Sequence, residues 1–379
     1  MAFVFWLSLL ALFYAYAGYP LCAFFLAKIQ KQIVKKEKIQ PFVTILIAAY
    51  NEEECIAATL ENKLALDYPQ DKFEIIVISD ESKDRTDAIV GSFSGRGVKL
   101  LRQSPRAGKT SALNLAVPFA QGEILVFSDA NSIYAPGALQ QLVANFADRT
   151  VGYVTGKMVY INPDGTTIGD GCSAYMKYEN RLREIETNLG SIVGVDGGID
   201  SMRKELYEPL KADQLPDFVQ PLKVVKKGFR VVYEPSALLK EASLQESRDE
   251  YRMRVRVTLR ALWALRDMHS LLFGCAGFLF AWQLWSHKVL RYFCFVFLFL
   301  VFVCNMALTN IHPTYLLFFL IQIAGYVGAI ISPIVERKNR QVKLLYFFHY
   351  FFLLNVASAH ACYKFFMGQK QVVWTPRKG

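Results

Sequence analysis

The sequence lacks the two glycine-rich loops by which many enzymes hold phosphate groups. Neither GxGxxG nor GxxxxGK[ST] occurs in its 379 residues, which argues against a dinucleotide-binding enzyme and against a P-loop nucleotide hydrolase. Its seven cysteines form no CxxC pair and no spacing typical of a metal site. This usage fits a reducing compartment and argues against a framework built from disulfides.

Charged residues are missing from residues 2–27, an apolar run long enough to cross ~30 Å of hydrocarbon as a helix that rises ~1.5 Å per residue. A removable signal peptide would have a basic start and a shorter apolar core, so we predict a transmembrane helix over residues 1–28. A basic linker follows at residues 29–40. The positive-inside rule then places the next domain in the cytoplasm.

The last part of the chain, beyond residue 268, is apolar and aromatic again. Basic residues divide it, and we predict a transmembrane hairpin over residues 288–336 with spans at 289–308 and 314–335. The outer turn, TNIHPT, lacks Lys and Arg, whereas both inner ends of the hairpin are basic. This pattern predicts a multi-pass protein of the cell inner (plasma) membrane.

Two more apolar segments leave the number of crossings open at three to five. Residues 271–285 and 344–366 have basic residues on both sides, so each either spans the membrane or lies along its cytoplasmic face. We favour three crossings. Amphipathic interfacial helices then occupy residues 249–287, and an interfacial or transmembrane helix with a basic tail occupies residues 337–379.

Residues 41–248 have the composition of a soluble domain that is large enough to bury its own core. Apolar runs that end in polar residues alternate here with helix-like stretches, which predicts an α/β fold with a mostly parallel, doubly wound sheet. Ligands bind such sheets at the carboxyl ends of the strands, where Asn51, Asp80 and Asp129 would meet. One polar strand end is commonly a turn, but three at one edge indicate a site.

Eight short motifs along the chain resemble one known family, the membrane-embedded family 2 glycosyltransferases. This group includes the cellulose, chitin, hyaluronan and poly-N-acetylglucosamine synthases. The motifs, in order, are AAYNEEE (48–54), ISDESKDRTD (78–87), RAGKTSALN (106–114), FSDANSIY (127–134), GVDGGIDSMRKELY (194–207), LPDFVQPLKVVKKGFRVVYEP (215–235), LWSHKVLR (284–291) and VVWTPR (372–377). The resemblance implies a Rossmann-like GT-A domain with a donor half at 41–135 and an acceptor and catalytic half at 136–248.

The same resemblance implies where a nucleotide-sugar donor would bind. The base and ribose would lie against Tyr50, Asn51 and Glu53 and against Asp80. Lys109 matches a basic residue near the donor phosphates. In the acceptor half, Asp196 of GVDGG is a candidate contact on the acceptor side.

The family holds a divalent cation with a DxD motif, and Asp129, Ala130 and Asn131 stand at that position. An Mg²⁺ or Mn²⁺ ion that bridges the diphosphate oxygens would help the nucleotide to leave, and hard oxygen ligands suit both ions. Asn131 replaces the second aspartate. Its amide oxygen brings no charge, so we expect weaker cation binding than with two carboxylates.

Asp217 in LPDFVQP matches the general base of the family. A carboxylate that takes the proton of an acceptor hydroxyl typically accelerates attack ~10²- to 10⁴-fold. In-line attack would invert the anomeric configuration, so that an α-linked donor gives a β-linked product. An aspartate at a helix start is also an ordinary N-cap, and the sequence leaves both roles open.

The QxxRW motif of the family is incomplete here, because residues 253–257 read Met-Arg-Val-Arg-Val. Only the arginine, Arg256, is retained, and we expect it to contact the donor diphosphate. The surrounding stretch is a basic amphipathic helix suited to anionic lipid head groups. Loss of the tryptophan weakens the expectation of a processive polymer synthase.

The expected function is an inverting glycosyltransferase that moves a sugar from a nucleotide sugar, with a UDP-sugar as the expected donor, to a glycan or lipid acceptor at the membrane. One alternative is a non-processive glycolipid synthase instead of a polysaccharide synthase. Another is a non-catalytic, nucleotide-binding membrane subunit of a polysaccharide assembly complex. The net charge of +10 does not indicate nucleic-acid binding, because the basic residues cluster where membrane topology needs them. The sugar, the linkage and the oligomeric state stay open.

Overall fold

The computed structural model describes residues 1–161, 171–242, 247–336 and 342–371. Within these ranges eight strands form one sheet. They are β1 (Val43–Ala49), β2 (Phe73–Asp80), β3 (Val98–Gln103), β4 (Ile124–Asp129), β5 (Ile133–Tyr134), β6 (Val151–Ile161), β7 (Ile199–Arg203) and β8 (Arg230–Ala242).

The α-helices are numbered in chain order. They are α1 (Ala2–Phe13), α2 (Tyr19–Ile29), α3 (Ile56–Leu64), α4 (Thr86–Ser92), α5 (Lys109–Ala116), α6 (Ala138–Ala144), α7 (Gly171–Leu189), α8 (Pro216–Lys226), α9 (Ser247–Asp267), α10 (Phe278–Leu284), α11 (Leu290–Tyr292), α12 (Cys294–Leu308), α13 (Pro313–Glu336) and α14 (Lys343–Phe366).

The sheet has the strand order β3-β2-β1-β4-β7-β6-β8-β5. The first four strands of that order are parallel, and β7 runs antiparallel to both of its neighbours. Every residue of β1 is buried, which is why this segment reads as a continuous apolar run. The predicted α/β fold with a mostly parallel sheet is therefore confirmed.

Two apolar cores cover the two faces of the sheet. One packs side chains of α5, α8 and α9 against the face that carries Leu46, Leu125 and Met202. The other packs α3, α4 and α6 against the face that carries Ile45 and Ile47. Successive side chains of each strand point to opposite faces, so both faces of the sheet are buried. Polar groups emerge at the carboxyl ends of β1 and β4.

Three helices of the described chain are long and apolar enough to cross a membrane, namely Ala2–Ile29, Pro313–Val335 and Leu344–Phe366. A fourth candidate is a bent pair, Phe278–Tyr292 with Cys294–Leu308, whose parts meet at 56°. The N-terminal span and the second span of the predicted hairpin coincide with candidates. The predicted first span, 289–308, is instead part of the bent pair, and the ambiguous segment 344–366 has the properties of a span.

The predicted interfacial helix forms α9, but protein covers two of its faces. Val255, Leu259 and Leu262 pack against α14, whereas Ala261 and Leu265 belong to the core beneath the sheet. This double contact joins the sheet domain to the C-terminal helix. The motif VVWTPR at 372–377 lies outside the described residues.

Gly122, just before β4, sits where no side chain fits. A Cβ atom there would lie 2.4 Å from the backbone nitrogen of Thr44, so we expect Gly122→Ala to push β4 away from β1. Overpacking of this kind costs ~1–3 kcal/mol. Thermal unfolding of the purified protein should therefore begin several degrees lower. Gly137→Ala is the matched control, because a Cβ atom there meets nothing within 4 Å; equal unfolding temperatures for the two variants would contradict the prediction.

Candidate active site

One cavity of about 1180 Å³ lies at the carboxyl ends of β1 and β4. At one end its wall contains Tyr50, Asn51, Asp129 and Asn131 of the sheet edge, and at the other it reaches candidate membrane helices. Common ligand pockets measure ~300–1,000 Å³. The cavity therefore has room for more than one ligand.

The backbone after β1 turns sharply at Asn51, which has a φ of +54°. Its side-chain oxygen accepts a hydrogen bond from the backbone nitrogen of Lys83 at 2.9 Å, and its own backbone nitrogen donates to Ser82 Oγ at 3.1 Å. Positive φ is uncommon outside glycine, although Asn tolerates it better than most residues. These bonds fix the end of β1 against the loop after β2.

Glu53 contacts the loop after β2, and Tyr50 contacts the loop after β3. The ring of Tyr50 lies 3.4 Å from the guanidinium carbon of Arg106. Glu53 accepts hydrogen bonds from the backbone nitrogen and Nε of Arg85, both at 3.1 Å. The predicted nucleoside-binding residues Tyr50, Asn51 and Glu53 thus lie together on the cavity wall.

Asp80 is fully buried and does not line the cavity. Its carboxylate accepts hydrogen bonds from the backbone nitrogens of Ala107 and Gly108, each at 2.9 Å, and from Gln103 Nε2 at 2.5 Å. The expected contact of Asp80 with the donor stays a prediction, and in this structure the carboxylate is enclosed by the loop that it binds. Asp80 instead fixes the loop from which Lys109 emerges.

Lys109 stands at the centre of the site. Gly108, with a φ of +91°, turns the chain into α5 and directs Lys109 toward the strand ends. The ammonium lies 2.7 Å from Asp129 Oδ1 and 3.6 Å from Asp217 Oδ1. Burial by itself would lower the pKa of Lys109, but the two carboxylates outweigh it and raise the pKa above its ordinary value. Lys109 is therefore a permanent cation between them.

Asp217 lies in the first turn of α8, after Pro216. The N-cap of this helix is Leu215, and no side chain caps it. The N-cap alternative left open by the sequence is therefore excluded. The Asp217 side chain is 26% exposed and faces the cavity, where an acceptor group can reach it.

The glycine-rich turn GVDGG comes close to both carboxylates. Gly197 and Gly198 have φ values of +77° and +72°. Cβ atoms at these positions would lie 3.1 Å from Asp217 Oδ2 and 3.4 Å from Asp129 Oδ2, respectively. Tyr134 donates a hydrogen bond of 2.7 Å to the Gly198 carbonyl and holds the turn in place. The turn needs glycine both for its dihedral angles and for this close approach.

Asp129 and Asn131 are the residues that could hold a divalent cation. One Asp129 oxygen pairs with Lys109, and the Asn131 side chain makes no hydrogen bond to any residue that the structure describes. No group of three or more His, Cys, Asp or Glu side chains with metal-site geometry occurs in the described ranges. The donor set thus fits an ion that takes its remaining oxygens from a diphosphate.

Two arginines of α9 extend the site. Arg256 lines the cavity and forms no ion pair within the described chain; burial lowers its pKa, whereas Asp129 and Asp217 act in the opposite direction. Arg260 donates hydrogen bonds to the Gln214 carbonyl and to Thr110 Oγ1. Arg256, the retained arginine of the incomplete QxxRW motif, therefore faces Asp129 and Asp217. Arg260 links α5 to the loop before α8.

The sequence interpretation missed Asp200, which is fully buried below the site on β7. Neither of its carboxylate oxygens has a hydrogen bond of normal geometry to a described residue, although the hydroxyls of Thr155 and Tyr153 lie near enough to act to lower its pKa. Burial, followed by the charge of Asp217, raises the pKa of Asp200 to about 8. The only signal in the sequence is one acidic residue inside the strand-like run GGIDSMR.

Asp196, a candidate acceptor contact, is engaged by protein. Its Oδ1 lies 2.6 Å from Arg183 Nη1, and both side chains are at most 7% exposed. Farther toward the membrane, His287 lies between Glu179 and Glu186 at 3.0 and 2.7 Å. The motif LWSHKVLR thus supplies a buried histidine, held between two carboxylates, to the same cavity.

Residues 44–209 match the family model described as glycosyl transferase family 2. This part of the chain is a family 2 glycosyltransferase domain. A beta-monoglucosyldiacylglycerol synthase of Trichormus variabilis is 34% identical over 172 residues, which are 44% of this chain and 37% of that protein. A poly-beta-1,6-N-acetyl-D-glucosamine synthase of Staphylococcus aureus is 28% identical over 202 residues, which are 52% of this chain and 48% of that protein. The chain thus spans less than half the length of these two relatives.

A solved mannosyltransferase from Pyrobaculum calidifontis, in complex with GDP-Man and Mn²⁺, is similar to the chain beyond the matched glycosyltransferase domain. The two superpose with a TM-score of 0.75 and 22% sequence identity, over 97% of this chain and 99% of that one. At this identity the likeness concerns the fold. It confirms the predicted GT-A fold with helices at both termini, and it includes the candidate membrane helices.

The raised pKa of Asp200 predicts a specific pH dependence of stability. An unfolded aspartate has a pKa of ~3.9, so between about pH 4 and 8 the folded state binds the extra proton. Asp200 therefore destabilises the fold increasingly as the pH rises through this window. Asp200→Asn should unfold at a higher temperature than the unaltered protein, and this difference should grow from pH 5.5 to 8.5. The exposed Asp71→Asn is the control, and a gain that is constant across this range would refute the assignment.

Proposed function

We propose that this chain transfers a sugar, with inversion, from a nucleotide diphosphate sugar to a glycan or lipid acceptor at the membrane. UDP-sugars are the first donors to test. One observation supports this above all. The Lys109 ammonium holds Asp129 and Asp217 together in a cavity that extends from the sheet edge to the membrane helices. We place the catalytic domain on the cytoplasmic side of the cell membrane, where the basic linker puts it.

The donor nucleoside would lie against Tyr50, Asn51 and Glu53, which share one wall of the cavity. Asp80 acts indirectly in this proposal, because its carboxylate holds the backbone of the loop before Lys109. Lys109 and Arg256 would face the diphosphate. Two cations at this place stabilise the negative charge that the leaving nucleotide takes with it.

Asp129 and Asn131 would hold Mg²⁺ or Mn²⁺. When bound, such an ion neutralises diphosphate charge and so makes the nucleotide a better leaving group. The Pyrobaculum calidifontis mannosyltransferase was solved with Mn²⁺, which supports a divalent cation without deciding between the two metals. With one carboxylate in the donor set, most of the affinity would come from the diphosphate oxygens.

Asp217 would act as the general base. An acceptor hydroxyl that lies against it loses its proton to the carboxylate as the hydroxyl oxygen bonds to the anomeric carbon. The bond from that carbon to the diphosphate oxygen breaks at the same time, and the nucleoside diphosphate leaves. The partial exposure of Asp217 toward the cavity supports this role.

The two enzymatic alternatives differ in whether the product of one transfer serves as the acceptor of the next. A polysaccharide synthase would extend the same chain repeatedly, and a glycolipid synthase would stop after one transfer. Both kinds occur among the relatives, and the product length made by the purified protein separates them. A non-catalytic subunit would bind UDP but turn over no donor.

The first test is a screen of radiolabelled nucleotide sugars with membranes that contain the protein. We expect one donor to label a membrane-bound product. Asp217→Asn should lower transfer by ~10²- to 10⁴-fold, since it removes the base, while UDP binding is retained. Lys226→Gln, on the same helix but outside the cavity wall, is the control. Normal turnover by Asp217→Asn would refute the base assignment, and UDP binding without turnover of any donor would favour the non-catalytic alternative.

The cation assignment predicts opposite effects of two substitutions. Asp129→Ala should abolish transfer and weaken Mn²⁺-dependent UDP binding, because it removes the charged ligand. Asn131→Asp should lower the Mn²⁺ concentration needed for half-maximal UDP binding, since it adds a carboxylate. Calorimetric titration of UDP at several Mn²⁺ concentrations measures both effects. An unchanged metal requirement in Asn131→Asp would argue against a ligand at this position.

A further inference from the structure

The membrane end of the cavity has its own set of residues. Tyr16, between α1 and α2, lines it from one side, and Leu354, Asn355 and Ser358 of α14 line it from the other. These residues belong to helices that are candidate membrane spans, yet the cavity they border also contains Asp217. An acceptor that enters between these helices from the bilayer therefore has a path to the proposed base.

Lys288 stands at this end, in a π-helical turn over Trp285–Val289 that widens the helix between α10 and α11. Turns of this kind occur frequently at functional sites. The Lys288 side chain lies against the backbone of Gly194, where a Cβ atom would be only 2.3 Å from Nζ. Glycine at position 194 thus leaves the space that the ammonium occupies.

The charged groups around Lys288 pair with one another and not with Lys288. Arg183 pairs with Asp196, and Arg291 pairs with Glu179. His287 has one ring nitrogen on Glu179 and the other on Glu186. Each of these three carboxylates therefore has a basic partner other than Lys288.

Lys288 is a further basic group at this place, and it forms no ion pair or hydrogen bond with any described residue. An unpaired charge that is largely removed from water is costly. A ligand that brings a negative charge to this place removes the cost. Lysine binds phosphate groups well, as a compact point charge with three donors.

We propose that Lys288 binds the phosphate of an anionic lipid acceptor whose free hydroxyl is presented to Asp217. This inference rests on the proposed function and names the acceptor class. In the reaction the hydroxyl oxygen bonds to the anomeric carbon, its proton passes to Asp217, and the nucleoside diphosphate leaves. The lipid phosphate is unchanged and serves only as the group by which the acceptor is held.

The test measures lipid binding without a donor. The full chain, purified in a neutral detergent, is titrated with fluorescently labelled phosphatidylglycerol and with labelled diacylglycerol, which has a hydroxyl but no phosphate. We expect the phosphate-bearing lipid to bind at least about 10-fold more tightly, in keeping with one hydrogen-bonded charge pair. Lys288→Gln should abolish this preference, and Lys288→Arg should restore most of it.

Two further variants distinguish a specific lipid-binding site from non-specific attraction to surface charge. Gly194→Ala should weaken phosphatidylglycerol binding, because it displaces the ammonium. Lys364→Gln, at the end of α14 and outside the cavity wall, should keep the full preference. Thermal unfolding of each variant verifies that it is folded. A preference that survives in Lys288→Gln, or an equal loss in Lys364→Gln, would overturn the proposal.

UDP binding provides the last comparison. If Lys288→Gln weakened UDP binding as much as lipid binding, Lys288 would serve the donor phosphates and the proposal would be wrong. Phosphatidylglycerol binding through Lys288 with no turnover of any nucleotide sugar would refute the proposed function alone. If Lys288→Gln transferred sugar to the acceptor as fast as the unaltered protein does, only the inference about the acceptor would be refuted.

Discussion

The contact of one ammonium with two carboxylates holds this site together. Asp129 ends a central strand and Asp217 begins a helix, and Lys109 lies within ion-pair distance of both. Without the lysine, two like charges would face each other across a partly buried cavity, with the buried Asp200 below them. Like charges at short range repel each other. Lys109 therefore offsets the repulsion between the two carboxylates.

Much of the surrounding structure serves to place that lysine. Asp80 uses its buried carboxylate to fix the backbone of residues 107 and 108, and the positive φ of Gly108 starts α5 at Lys109. The GVDGG turn closes over both carboxylates from the other side. A fully buried aspartate thus helps to build the site by fixing the loop before Lys109.

The site does not end at the soluble domain. Helix α9 contributes Arg256 and Arg260 to the cavity while its apolar side chains pack against α14. The π-helical turn at Trp285–Val289 places Lys288 against Gly194 of the glycine-rich turn and His287 between Glu179 and Glu186 of α7. Because candidate membrane helices line the same cavity as Asp129 and Asp217, a shift of these helices would change the shape of the site.

What the sequence determined by itself was the sheet and the residues at its edge. Buried parallel strands appear as continuous apolar runs, so β1, β2 and β4 and the polar residues that end them were predictable from local pattern. The short motifs also indicated Asp217 and Lys109. Hydrophobicity identified the apolar segments, although the bend within Phe278–Leu308 and the membrane-length helix at 344–366 were left open.

Only the tertiary structure decided how the charges pair. It encloses Asp80, excludes the N-cap role of Asp217, buries Asp200 below the site, and leaves Lys288 without an ion pair or hydrogen bond to a described residue. These outcomes depend on contacts such as Lys109 with Asp217 and His287 with Glu179, whose members lie far apart in the chain. Periodicity reports which face of an element is buried. It carries no information about which distant charge will lie opposite, because the folding of the whole domain brings the two together.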